Sequence, residues 1–286
     1  MIDDLAGRLT ARFGASGLRR TEGAEDLPLP PEQIALLRDC GIPRQVGPYF
    51  TTADGDPVRL GAYAERLDCE LTGDQQASWY RIGSDRGAEI CLDESGAVRA
   101  AFIGLGMSGA FINESLPLFL ESLIALDEAL SLIAAAKSVP ESASHIRILL
   151  KQLANVEVET VQSGDTWWSR VLEDIRHTAS HSAYAAFEIT DARGEQQIVT
   201  KSGALCVHPE ERLWSELRAA GVSSSQVKKV HTELQPCFMP GHYCSLWMAT
   251  EFPEAEFTHN FDYGSTAESR EQGFVELLRH AASSRG

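Results

Sequence analysis

The sequence predicts two domains, an α+β domain followed by an α/β domain. The chain has 286 residues, more than one domain usually contains. Its first half places a helix before several short strands and a long apolar helix after them, whereas its second half alternates strands with helices. The predicted organisation is a polar lead-in over 1–30, a first domain with a helical connector over 31–178, and a second domain over 179–286.

Apolar runs separated by turn residues predict the elements of the first half. Residues 31–39 have the pattern of a helix that Gly41 ends. Asn113 is the predicted cap of the apolar helix that follows it, and this helix carries charges at intervals typical of a buried helix rather than a membrane span. Residues 137–178 are partly helical and are expected to pack on the first domain. The predicted strands are 79–82, 89–92 and 98–103.

The second half begins with a predicted hairpin and continues with helices between strands. Pro209 suits the first turn of a helix that ends before Gly221. Ser265 and Glu268 have the spacing of a capping box for a last helix, which reaches about His280. No further strand is evident after that helix. The predicted strands are 185–190, 196–200, 227–232 and 257–261.

The charge of the chain restricts its partners and its location. The formal net charge is −16, and residues 181–286 carry 9 − 14 = −5 of it, which leaves −11 for residues 1–180. Such acidity argues against broad electrostatic adhesion to nucleic acid and suggests either solubility or a basic protein partner for the first domain. The acidic start of the chain predicts a cytoplasmic protein without a signal peptide and without membrane contact. In that compartment the six cysteines are expected to be thiols or metal ligands.

Residues 25–135 contain several short motifs. They are Gly41-Ile42-Pro43, Tyr80-Arg81-Ile82-Gly83, Glu89-Ile90-Cys91-Leu92-Asp93, Gly96-x-Val98 and Phe111-Ile112-Asn113-x-Ser115-Leu116, with Phe119-Leu120 after them. These motifs resemble the SUKH immunity-protein superfamily, in particular the bacterial members that accompany polymorphic toxins. The resemblance implies a protein-binding scaffold, and none of these motifs is catalytic.

The motif His208-Pro209-Glu210 precedes Pro236-Cys237 and then Cys244, and the stretch 230–239 runs from a strand into that second motif. These residues resemble the zinc site of the cytidine deaminase superfamily, and among its members the bacterial toxin deaminases. The resemblance implies a three-layer fold, in which helices cover both faces of a mixed sheet. It also implies that His208, Cys237 and Cys244 hold Zn²⁺ while Glu210 transfers protons. Cys237 is expected at the start of a helix, where a thiolate is favoured.

Several assignments in this region stay open. Six residues separate Cys237 from Cys244, whereas the superfamily usually has Cys-x-x-Cys, so His242 is an alternative third ligand. His231-x-Glu233 is a second motif of the His-x-Glu type, but it lies on a strand, and Glu233 is more consistent with lining the pocket. The candidates for stacking on a base are Phe238, Tyr243 and Trp247, which belong to the ligand segment.

The sequence therefore favours a zinc-dependent deaminase that converts cytosine to uracil in single- or double-stranded DNA. RNA and free nucleosides or nucleotides are alternative substrates. A different hypothesis is an immunity-type binding protein whose deaminase domain is vestigial. A third hypothesis is that the acidic first domain shields the active site, in which case a 180–286 fragment would be more active than the whole chain.

Overall fold

The computed structural model describes residues 2–55, 57–191 and 193–283, and Met1, Asp56, Ala192 and residues 284–286 lie outside it. The chain forms two domains of mixed α and β content. The first contains α1 (Ile2–Gly17), β1 (Leu18–Arg19), α2 (Pro31–Ala35), β2 (Ile42–Pro43), β3 (Gln45–Val46), β4 (Phe50–Thr52), β5 (Val58–Arg59), α3 (Leu60–Arg66), β6 (Tyr80–Ser84), β7 (Glu89–Leu92), β8 (Val98–Ala101), β9 (Ala110–Asn113), α4 (Leu116–Ala135), α5 (Val139–Val156) and α6 (Trp167–Ser180).

An antiparallel sheet forms the centre of the first domain. Its strands follow the order β3-β4-β6-β7-β8-β9, and β5 also pairs with β6. The strands predicted over 79–82, 89–92 and 98–103 are confirmed as β6, β7 and β8. The helix predicted over 31–39 is α2 together with the wide turn Leu36–Cys40 that continues it. Gly41 ends this segment with a φ of 89°, a conformation that glycine adopts at low cost.

The start of the chain differs from the predicted lead-in. Residues 2–17 form α1, and its Leu5 and Leu9 are buried in the main core of the first domain. The two leucines are four residues apart and therefore lie on one face of the helix. Their short apolar stripe is hidden in a segment whose average composition is polar, which is why composition alone misses this helix.

The long apolar helix is confirmed as α4, but the cap predicted for it is wrong. Ser115 occupies the position before the first helical residue, and Asn113 ends β9. The Asn113 side chain is buried. It donates a hydrogen bond to Glu157 Oε2 (2.7 Å) and accepts one from Trp168 Nε1 (3.0 Å). Asn113 therefore satisfies buried polar groups of the connector instead of a helix end. Among the described residues, no helix is long and apolar enough to cross a membrane.

The connector is helical and packs on the first domain, as predicted. Leu149 and Leu153 of α5 lie in the main core, together with Trp168, Val171 and Ile175 of α6. The side chain of Thr166 caps α6 by accepting a hydrogen bond from the Ser169 backbone N–H at 3.1 Å. The last turns of α6 project toward the second domain, so this helix is anchored in one domain and contacts the other.

A mixed four-stranded sheet, among the described residues, forms the second domain. Its strand order is β11-β10-β12-β13, in which β12 and β13 are parallel and the other pairs are antiparallel. Helix α7 lies against β10 and β11, and α9 against β12 and β13. Thr266, rather than Ser265, accepts the capping hydrogen bond at the start of α9. The elements are β10 (Tyr184–Thr190), β11 (Gln196–Ser202), α7 (Pro209–Ala219), β12 (Val227–Leu234), α8 (Cys244–Glu251), β13 (Glu256–Phe261) and α9 (Ala267–Ser283).

The contact between the domains is extensive and partly buried. Cys206 and Tyr243 of the second domain lie within the core of the first. Arg270 of α9 is buried and forms an ion pair with Glu173 of α6 at 2.8 Å. The Tyr243 hydroxyl donates a hydrogen bond to Asp85 Oδ2 at 2.8 Å. The ion pair joins α6 to α9, and the Tyr243 hydrogen bond joins the segment that carries the cysteines to the residue after β6.

Candidate metal centre

His208, Cys237 and Cys244 come together at one point of the second domain. His208 precedes α7, where Pro209 is the first helical residue, as the sequence predicts. Cys237 lies in the irregular segment after β12, and Cys244 is the first residue of α8. The prediction that Cys237 starts a helix is therefore wrong, because the segment stays irregular until Tyr243 (φ 43°) and only then turns into a helix. It is Cys244 that benefits from a helix N-terminus.

The distances within this group suit a metal ion. His208 Nδ1 lies 3.3 Å from Cys244 Sγ and 3.5 Å from Cys237 Sγ. All three ligand atoms lie within 4.8 Å of one another. Tetrahedral zinc with Zn–N near 2.05 Å and Zn–S near 2.3 Å separates nitrogen from sulfur by about 3.6 Å. One imidazole nitrogen and two sulfur atoms are also a donor set that zinc prefers, so these residues fit the ion that the sequence suggests.

His242, the alternative third ligand, has other partners. Its ring stacks on that of His208 with centroids 3.9 Å apart. Its Nδ1 lies 2.9 Å from Glu211 Oε2 and its Nε2 lies 3.1 Å from Asp174 Oδ2. Burial by itself lowers the pKa of His242, but the charge of Asp174 and the hydrogen bonds to Asp174 and Glu211 together raise this pKa to about 9. Both ring nitrogens of His242 therefore contact carboxylate oxygens, whereas the Cys244 sulfur atom contacts His208.

The three candidate ligands lie close enough together to shift one another's pKa values. Burial opposes ionisation of Cys237, but the hydrogen bond from the Cys244 thiol and the charge of His208 hold the Cys237 pKa well below its usual value. Burial likewise acts against a charged His208, yet Cys237 and Asp174 raise the pKa of His208 well above its usual range. Burial and the neighbouring Cys237 raise the pKa of Cys244. A metal ion binds a neutral imidazole and thiolates, so its binding at these residues is coupled to the release of protons.

Glu210 lies beside this group, on the first turn of α7. Its side chain is buried, and the burial raises its pKa despite the opposing charge of His208. It lines the same cavity as His208 and Cys237. A buried carboxyl group with a raised pKa can both accept and return a proton near neutral pH.

A cavity opens next to the candidate ligands. Glu233 lines it, as predicted, and its Oε2 accepts a hydrogen bond from the Tyr184 backbone N–H at 2.9 Å. Two buried polar atoms of the lining, His181 Nε2 and Thr232 Oγ1, have no hydrogen-bond partner among the described residues. The cavity therefore offers unused hydrogen-bonding groups to a small polar molecule.

The aromatic residues proposed for base stacking lie elsewhere. The Phe238 ring packs against Phe102 of the first domain at 5.3 Å, and the Tyr243 ring contacts the same residue at 5.5 Å. Trp247 contacts Phe252 and lines a separate surface cleft with Glu211 and His242. None of the three lines the cavity, because Phe238 and Tyr243 pack against the first domain and Trp247 lines the other cleft. The aromatic rings that do line it are those of Tyr184, Tyr263 and Phe274.

The second His-x-Glu motif is not part of the candidate centre. His231 lies on β12, and its Nδ1 is 2.9 Å from Thr258 Oγ1 of the neighbouring strand. The two described groups of three residues that could hold a metal are His208 with Cys237 and Cys244, and Asp174 with His208 and His242. His208 belongs to both groups.

Comparison with known families assigns both halves of the chain. The family model of the SUKH-4 immunity protein matches residues 5–174, and that of the Xanthomonas-like deaminase matches residues 180–280. The first match covers more than half of the chain. The chain belongs to the SUKH-4 immunity protein family. No curated protein and no solved structure matches it. The resemblance of the first half to SUKH proteins and of the second to deaminases is thus confirmed.

The SUKH-4 part of the chain contributes a residue that the motifs do not reveal. Asp174 of α6 lies 34 positions before His208 in the chain, yet its Oδ1 is 2.7 Å from His208 Nε2. Burial opposes its ionisation, but the charges of His242 and His208 hold its pKa well below the usual range. The only trace in the sequence is an acidic residue inside the apolar stripe that Trp168, Val171 and Ile175 form on α6.

Proposed function

We propose that the second domain, over 179–286, is a zinc-dependent hydrolytic deaminase of a nucleobase, with the three-layer fold of such enzymes. Its preferred reaction converts cytosine in DNA to uracil and releases ammonia. The observation that carries this proposal is the convergence of His208 Nδ1 with the sulfur atoms of Cys237 and Cys244 beside buried Glu210. The deaminase match over 180–280 supports the same chemistry.

Each residue of the group has a defined role in this proposal. His208, Cys237 and Cys244 would hold the ion, and His208 and Cys237 also line the cavity. Zinc supplies a Lewis acid that makes water nucleophilic near neutral pH. Glu210 would take one proton from the attacking water and deliver it to N3 of the base, and then transfer the proton of the new C4 hydroxyl group to the amino group, which leaves as ammonia. Burial of Glu210 keeps competing water away from these transfers.

The substrate must present a single exposed base. A stacked base hides the carbon that water attacks, so the nucleotide has to be single-stranded or rotated out of a duplex. The rings of Tyr184, Tyr263 and Phe274 line the cavity and provide apolar surface against which a base can pack. DNA is the first choice because of the resemblance to toxin deaminases, and RNA and free nucleotides are the other substrates to test.

The decisive experiment measures uracil formation in single- and double-stranded DNA, in RNA and in free cytidine, using the zinc-loaded full chain. We expect Glu210→Gln to lower the rate at least about 100-fold, because the proton carrier is lost while the shape is kept. Glu216→Gln on the exposed side of the same helix is the matched control and should retain activity. Equal rates in the Glu210→Gln variant and the wild type would refute the proposal.

A second candidate function follows from the larger family match. The SUKH-4 region supports an immunity-type protein interaction through the first domain, with the deaminase-like domain as a vestigial partner. This alternative predicts that the purified chain binds no zinc and deaminates none of the four substrates. Uracil formation that requires Glu210 would exclude the vestigial domain, although it would leave a protein partner of the first domain possible.

A further inference from the structure

Asp174 connects the two domains at the candidate metal centre. It lies at the end of the region that matches the SUKH-4 family, and its side chain is almost fully buried. Its Oδ1 is 2.7 Å from Nε2 of His208, while Nδ1 of the same ring faces Cys244 and Cys237 at 3.3 and 3.5 Å. The carboxylate of one domain and the thiols of the other therefore occupy opposite sides of one imidazole.

This geometry determines which nitrogen of His208 is available to an ion. A carboxylate only accepts hydrogen bonds, so Nε2 must carry the hydrogen that is donated to Asp174. In the neutral ring the lone pair is then on Nδ1, the nitrogen that faces the two sulfur atoms. Metal-binding histidines are commonly oriented by such a carboxylate, which also strengthens the nitrogen as a ligand.

Asp174 is itself held in place by the first domain. The buried Tyr49 hydroxyl donates a hydrogen bond to its Oδ2 at 2.6 Å, and His242 Nε2 lies 3.1 Å from the same oxygen. On either side of Asp174, Val171 and Ile175 anchor α6 in the core. With the backbone and both carboxylate oxygens fixed, Asp174 does not have to be ordered when an ion binds.

We infer that Asp174 is a positioning residue for His208 and that the SUKH-4 domain thereby completes the metal centre of the deaminase domain. This inference rests on the proposed function. It is the opposite of shielding, because a fragment that begins at residue 180 would lack the carboxylate that orients His208. The first domain is then part of the catalytic apparatus, independent of any partner that it binds.

The neighbouring residue offers a matched control for a purely structural role. Glu173 lies on the same helix and forms an ion pair with Arg270 across the same domain contact, at 2.8 Å. Its partners are distinct from His208. If residues 173 and 174 only hold the domains together, variants at the two positions should have the same effect on zinc binding.

The test uses the full chain and measures zinc affinity by competition with a chromophoric chelator, together with the visible spectrum of the Co²⁺-substituted protein. We expect Asp174→Ala to weaken zinc binding about 10–100-fold and to shift the Co²⁺ bands. The zinc affinity of Asp174→Asn should lie between the affinities of Asp174→Ala and the wild type. If Asp174→Ala does not fold, Asp174→Asn replaces it in the test. Glu173→Gln should lower the unfolding temperature of the metal-free protein but leave zinc affinity within about threefold.

The outcomes separate the inference from the function on which it rests. If Asp174→Asn and Asp174→Ala bind zinc as tightly as the wild type does, the inference is wrong and the proposed deaminase function is unaffected. Equal weakening by the Asp174 variants and Glu173→Gln also overturns it, since Asp174 would then only join the domains. Wild-type protein that binds no zinc overturns both.

Discussion

His208 and His242 show how neighbouring residues of one type acquire different roles. Their rings are stacked and parallel, and both contact Asp174. His208 keeps one nitrogen toward the cysteines, whereas His242 uses both of its nitrogens for Asp174 and Glu211. The charged bridge formed by His242 is buried, so its removal leaves two carboxylates without their shared partner. The role of His242 is therefore best tested by measuring the free energy of unfolding and the zinc content of a His242 variant separately.

We expect Cys244→Ser to affect mainly zinc binding and His242→Gln to affect mainly stability. Cys244→Ser replaces a thiolate by a hydroxyl group, a poor zinc ligand, and should weaken zinc binding by at least about 100-fold. His242→Gln should keep one zinc ion per chain but lower the free energy of unfolding by about 3 kcal/mol, because buried charges lose their partner. Metal analysis after gel filtration and urea denaturation of the metal-free proteins measure the two effects. Loss of zinc in His242→Gln with retention in Cys244→Ser would make His242 the ligand.

At the scale of elements, the sequence predicts what local patterns control. The strands β7 and β11 and the helices α4 and α7 follow from apolar periodicity, proline and glycine, and the structure has them close to the predicted bounds. The segment 235–243 does not follow from such patterns. Its shape depends on the first domain, because the Gly241 backbone N–H donates a hydrogen bond to the Asp85 carbonyl at 3.0 Å. The partner residue lies more than 150 positions earlier in the chain.

The same limit applies to the candidate site. The motif types gave His208, Glu210, Cys237 and Cys244, which the structure brings together. Phe238, Tyr243 and Trp247 are stacking candidates because they belong to the ligand segment, and the sequence does not state which domain covers that segment. Asp174 was missed because a carboxylate on a connector helix carries no motif. Sequence motifs therefore predict the site residues that lie within the second domain, but not the groups that the first domain contributes to the site.

The docking of the segment 235–243 can be tested at Gly87, which lies in the turn between β6 and β7. A methyl group at this position would lie 2.2 Å from Cδ2 of Tyr243, closer than atoms can approach. We expect Gly87→Ala to lower the free energy of unfolding by about 2 kcal/mol, since the buried Tyr243 ring has to move. Gly73→Ala is the control, because its methyl group would meet no atom within 4 Å and its backbone is extended. Urea denaturation with equal losses in both variants would contradict this docking.

At the scale of the whole molecule, charge decides how a polymer substrate can approach. The chain carries a net charge of −16, and among the described residues that line the cavity there is no lysine or arginine, whereas Asp174, Glu210 and Glu233 are acidic. A protein that binds nucleic acid through six to ten phosphate contacts loses about 10³–10⁵ in affinity between 50 and 200 mM salt. The described lining residues themselves supply no lysine or arginine cation for such contacts. For the proposed deaminase we therefore expect recognition to depend mainly on the base.

We therefore expect the KM for a cytosine-containing single-stranded oligonucleotide to change by less than about threefold between 50 and 200 mM NaCl, or to fall. Salt screens the repulsion between the acidic protein and the phosphates, and few counterions are released on binding. Deoxycytidine, which carries no phosphate, is the control, and its KM should be constant over this range. A KM for the oligonucleotide that rises tenfold or more would require a cationic surface that engages several phosphates. It would place the main recognition on the strand rather than on the base in the cavity.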